Sequence, residues 1–110
     1  MTELAEIDLM HDDLTALRRD IHAHPETAFD ERRTAQIVAE KLESFGLEVT
    51  TGIGQTGVVG TLKCGPGQRA FAFRADMDAL FIEEANDFDY VSTNKGKMHA
   101  CGHDGHTAML

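Results

Sequence analysis

The stretch Ala35-Gln36-Ile37-Val38-Ala39-Glu40-Lys41-Leu42-Glu43-Ser44-Phe45-Gly46-Leu47-Glu48-Val49-Thr50-Thr51 changes its period in the middle. Before Gly46, the apolar residues Ala35, Val38, Leu42 and Phe45 recur at steps of three or four, with Ile37 alongside, which is the spacing of one helix face. After Gly46, apolar and polar residues alternate, as they do along a strand with one covered face. Gly46 itself suits the left-handed position just past a helix end. The helix is expected from about Asp30 or Glu31 to Phe45. Glu31 in its first turn favours the positive end of the helix dipole, whereas Arg32 and Arg33 oppose it.

Working outward, Met10, Leu14, Leu17 and Ile21 form the stripe of an earlier helix. It should begin near Asp12 or Asp13, either of which can cap it, and stop at Pro25, because the residue before a proline avoids the helical region. Downstream, Leu47–Thr51 ends in the loop Gly52-Ile53-Gly54, and Val58–Lys63 reads as a second strand. Cys64–Gln68 is a tight glycine-proline connection. Ala70–Ala75 is more apolar and is expected to be a third, more central strand. Residues 76–97 are irregular and acidic, with a Phe88-Asp89-Tyr90-Val91 patch, and a last helix starts near Gly105. The order of helix, helix, three strands, loop and helix indicates an α/β layer.

At 110 residues the chain is at most one domain. Its net charge of −9 argues against nucleic acid or an anionic membrane as partner, since both are bound by basic surface. The acidic opening Met1–Glu6 has no apolar signal core, and no apolar run is long enough to span a bilayer. A cytoplasmic location is expected. Cys64 and Cys101 are therefore expected as free thiols rather than a bridge.

The chemistry concentrates in Met98-His99-Ala100-Cys101-Gly102-His103-Asp104-Gly105-His106-Thr107. Cys101 and His103, two apart, can share a face and reach one ion. Thiolate and imidazole suit a borderline transition metal such as Mn, Zn, Co or Ni rather than Ca or Mg. Arg74-Ala75-Asp76-Met77-Asp78 ends the third expected strand. Its two carboxylates can hold a ligand histidine or orient a metal-bound water, because sites in open α/β sheets lie beyond the carboxyl ends of strands. His22 is expected at the end of the first helix, where it favours the dipole, and His24 in a capping turn. Gly52–Gly57 lacks the order of a phosphate loop and is read as a turn. Cys64 is read as a bystander, and Glu83–Asp87 as a solvated loop.

Taken together, Leu17–Glu26, Arg74–Leu80 and Met98–Leu110 resemble, in order, the motifs of the aminoacylase-like metal-dependent amidohydrolases, which include hippurate hydrolases, N-acyl-amino-acid deacetylases and hydrolases of indole-acetyl amino acid conjugates. The resemblance extends from about Leu14 to Leu110. It implies a partial catalytic domain of the zinc-carboxypeptidase-like fold, with helices packed on a mixed sheet and residues 1–110 as its N-terminal part, without the dimerisation domain. It implies a two-metal hydrolase of amides in N-acyl amino acids, and a homodimer at full length. Cys101 and His103 occupy the positions of metal ligands, and Asp76 and Asp78 those of the acidic support. In that pattern the general base, a glutamate, and the remaining ligands lie further downstream, so the 110-residue chain alone is expected to be inactive. Phe81 stands where the family usually has proline. The alternatives are a non-catalytic remnant, an interaction module, or a structural metal site of Cys101 with His99, His103 or His106.

Overall fold

The computed structural model describes residues 2–110. In chain order it has α1 (Glu3–Leu9), α2 (His11–Ala23), α3 (Arg32–Ser44), β1 (Glu48–Ile53), β2 (Gly57–Thr61) and α4 (His103–Met109). This is a partial α/β domain. The sequence reading does not include α1; Thr2 starts it by accepting the Ala5 N–H, with Glu3 and Glu6 in the first turn. The next helix begins at His11, so Asp12 and Asp13 lie inside its first turn and favour the dipole there rather than capping it.

The third helix owes its start to a residue outside it. Glu31 occupies the cap position without a side-chain bond to the helix. The Glu26 carboxylate takes that part instead, accepting the backbone N–H of Arg33 at 3.0 Å and of Thr34 at 2.7 Å, and the Thr34 hydroxyl at 2.7 Å. Thus an acidic group satisfies orphan donors at the positive end of α3. The Arg33 guanidinium bridges back to both Asp20 oxygens, at 2.9 and 3.0 Å, which locks α3 to α2. Glu31 is buried and accepts the Thr56 hydroxyl at 2.6 Å, tying the hairpin turn to the same helix end.

The helix-to-strand step falls where the period changes. Gly46 has φ 85° and ends α3. The two strands pair antiparallel, Glu48 opposite Thr61 and Val49 opposite Gly60, with an irregularity between Thr50 and Ile53. At Gly60 a Cβ would lie 2.9 Å from Leu47 Cδ2 and 3.0 Å from Leu42 Cδ1, so the lack of a side chain lets the hairpin lie close on α3.

Two expectations need correction. Ala70–Ala75 is not a strand: it has no ladder neighbour among the described residues, and Phe71 and Phe73 are 94% and 80% exposed. Its apolar composition suits a central strand, but a strand exists only where other backbone meets its N–H and C=O groups. The mixed sheet is correspondingly reduced. Beyond the hairpin there are two isolated bridges, Thr27 with Ala79 in parallel and Leu80 with Met98 antiparallel. The core is small, formed by Ile21, Ala39, Ala79 and Ala108, and buried polar residues stand among them: His22, Thr27, Glu31, Thr34, His99 and Asp104. No described helix is long and apolar enough to cross a membrane.

Candidate metal centre

The two bridges set up the site. The Ala79 N–H donates to the Glu26 carbonyl at 2.8 Å, and Leu80 and Met98 exchange both backbone bonds at 3.0 Å. Asp78 therefore sits just before one pinned residue and His99 just after another. Gly102, at φ 89°, turns the chain into α4, whose first residue is His103. Helix α4 packs on α2.

His103 meets the acidic pair. Its Nδ1 donates toward the Asp78 carboxylate at 2.9 Å and the Asp78 carbonyl at 3.0 Å, while Nε2 lies 3.8 Å from Asp76 Oδ2. The Asp76 carbonyl accepts the Thr107 hydroxyl at 3.0 Å, and its carboxylate pairs with Arg74. A carboxylate on one ring nitrogen fixes the tautomer and leaves the other nitrogen's lone pair for an ion. The structure thus brings Asp76, Asp78 and His103 together, with Asp78 the closer support. Cys101 is an exposed free thiol, as is Cys64. Among the described residues, no group of three or more histidine, cysteine or carboxylate side chains is placed to hold a metal. The thiol of Cys101 and the imidazole of His103 suit a borderline transition metal in donor chemistry.

Behind this arrangement lies a buried cluster that sequence reasoning missed. His22 does more than favour a dipole. Its Nδ1 lies 2.8 Å from Asp104 Oδ2 and its Nε2 2.9 Å from Glu84 Oε2, so the ring is hydrogen-bonded to a carboxylate on each side. The Glu83–Asp87 run is likewise not wholly solvated: the Glu84 side chain is only 3% exposed. It also accepts the Asn86 amide at 2.8 Å and the Ser92 N–H at 2.6 Å. Arg18 Nη1 reaches Asp104 at 3.3 Å. The one sequence signal for this cluster is the spacing of Leu14, Arg18 and His22, one helical turn apart beside the apolar stripe. His24 fulfils its expected role, with Nδ1 donating to the Asp20 carbonyl at 2.8 Å near the helix end.

Burial alone would raise the pKa of Glu84, but hydrogen bonds from Asn86, His22 and Ser92 outweigh it and hold the carboxyl below its ordinary range. Asp104 is likewise lowered: burial opposes ionisation, and hydrogen bonds from His22 and the Gly105 N–H overcome it, with the nearby His99 and His22 adding to the effect. His99 differs. Burial pushes its pKa down, Asp104 opposing, and among the described residues neither ring nitrogen has a hydrogen-bond partner.

A model of peptidase family M20/M25/M40 matches residues 72–110, the stretch holding Asp76, Asp78, Cys101 and His103. The chain is 47% identical to a hippurate hydrolase of Campylobacter jejuni over 110 residues, covering 100% of this chain and 29% of the relative. It is 51% identical to an N-acyl-L-amino acid amidohydrolase of Geobacillus stearothermophilus, covering 94% of this chain and 28% of the relative. The chain thus spans less than a third of the length of these curated relatives. The crystal structure of a Bacillus subtilis protein, described as a dinuclear metal-binding peptidase of the M20 family, superposes with a TM-score of 0.85 at 39% identity, over 92% of this chain and 29% of that one. Over the stretch it spans, this chain is similar to peptidase family M20/M25/M40 and to relatives named as hydrolases of hippurate and of N-acyl-L-amino acids.

Proposed function

We propose that this chain supplies ligands and their support to a metal centre that hydrolyses the amide bond of N-acyl amino acids or related conjugates, with residues 1–110 as the N-terminal part of the catalytic domain. The observation that carries this reading is His103, oriented by Asp78 at 2.9 Å and lying two residues after an exposed Cys101. Relatives named for hydrolysis of hippurate and of N-acyl-L-amino acids support the substrate class.

In this reading Cys101 and His103 hold a divalent ion, and the thiolate-imidazole pair admits Zn, Mn, Co or Ni. A bound ion supplies a Lewis acid and acidifies a coordinated water. The protein's own residues do the rest. Asp78 fixes the His103 ring, the Asp76 carbonyl ties that acidic segment to α4 through Thr107, and Arg74 orients the Asp76 carboxylate. The neighbour described as dinuclear favours two ions in the complete enzyme.

Two measurements test the reading. Titrating the protein with Co(II) should produce a thiolate-to-metal absorption band that Cys101→Ala abolishes. In the enzyme containing this chain, Cys101→Ala should lower metal content and hippurate hydrolysis together. Full metal content with unchanged hydrolysis would overturn the ligand assignment.

A further inference from the structure

Glu84 has no bond to the helix bearing His103, yet the two are joined through one imidazole. The Glu84, His22 and Asp104 side chains are 3%, 6% and 4% exposed, and His22 spans the two carboxylates at 2.9 and 2.8 Å. Asp104 immediately follows His103 and belongs to the first turn of α4. On the far side, Glu84 is anchored in its own loop by Asn86 and the Ser92 N–H. The Phe88 and Tyr90 rings of that loop stack at 4.0 Å, and each lies 5.9 Å from His22. Arg19 sits over Tyr90 at 4.6 Å. A shift of the loop therefore reaches α4 through a rigid, dehydrated pair of hydrogen bonds.

We propose that Glu84 and His22 are positioning residues, a relay by which the loop of residues 84–92 sets the placement of the segment carrying Cys101 and His103. The metal side of this inference rests on the function proposed above; the mechanical side does not. The relay explains why an ionisable trio is kept in a core this small. Apolar side chains would fill the same space, but they would not fix the direction of the Asp104 carboxylate or the start of α4. Two directional bonds on a planar ring do both.

The test compares Glu84→Gln, His22→Gln and the milder Asn86→Ala in the purified protein, with two readouts. The first is amide hydrogen exchange without metal. All three variants should speed exchange at residues 103–107, while α3, held by Glu26, keeps wild-type protection. Faster exchange in residues 84–92 with unchanged exchange at 103–107 would overturn the relay. So would equal loss of protection in α3, which would mark a general loss of stability. The second readout is Co(II) affinity through the Cys101 absorption band, expected to weaken roughly tenfold in Glu84→Gln and less in Asn86→Ala, as partners behind metal ligands typically do. Wild-type affinity in all three variants would also count against the relay. If the wild type shows no Cys101-dependent band, the metal assignment fails, and the exchange result alone decides the relay.

Discussion

His22 and His99 are both 4% exposed, and their ring centroids lie 6.5 Å apart, but they are bonded in opposite ways. His22 has a carboxylate on each nitrogen; His99 has no partner on either among the described residues. Equal burial thus carries opposite energetic signs. A buried imidazole with both bonds made secures the elements around it, whereas one with neither made costs desolvation with nothing to offset it. His22 serves the fold. His99 stands in its interior at the fold's expense, beside the expected metal ligands, where a departure from the rules of packing is most expected.

The contrast can be broken at either end. The largest effect should come from His22→Leu, which leaves Asp104 and Glu84 facing each other's charge across an apolar side chain. Removing one member of a buried charged set typically costs about 3–5 kcal/mol, and urea unfolding should show a loss on that scale. A loss under about 1 kcal/mol would mean that the two carboxylates are satisfied without the imidazole. Next comes Glu26→Ala, the comparison's second fully engaged acid. It strips α3 of its cap and should cost about 1–3 kcal/mol, with exchange rising first at the Arg33 and Thr34 amides.

A smaller effect is expected from pH. Glu84 titrates lower in the fold than in the unfolded chain, so its contribution is fully present above the unfolded carboxylate value of about 4.3 and is lost as pH falls through the folded value. Stability measured at descending pH should therefore drop less steeply in Glu84→Gln than in the wild type; parallel curves would contradict that assignment. The smallest change is expected at His99→Leu, which removes both unpartnered nitrogens at a volume close to that of histidine. The urea midpoint should stay put or rise. A fall equivalent to about 2 kcal/mol would reveal bonds to His99 and erase the contrast between the two rings.

What the sequence disclosed divides along the same line. The turn at Gly46, the stop at Pro25 and the two-stranded ribbon follow from short-range spacing, so they are legible, while the support of the site by Asp76 and Asp78 comes from the order of the motifs. The His22 partners were not, because nothing local marks Glu84 or Asp104 as lying against a residue 62 or 82 positions earlier. The helix start at Arg32 was placed within two residues, but its cause, a glutamate reaching forward from position 26, has no standard motif. Ala70–Ala75 misled for the reverse reason: its composition is that of a strand, while pairing depends on backbone from elsewhere.

The Glu26 cap also has a meaning in the order of synthesis. The capping carboxylate leaves the ribosome before the helix it serves, so α3 can be nucleated as soon as Thr34 follows. His22 emerges at nearly the same time, yet its first partner is 62 residues away and its second 82. Closing such long loops costs entropy that only the finished contacts repay. The helical scaffold is thus available early in translation, and the segment that bears Cys101 and His103 is fastened to it last.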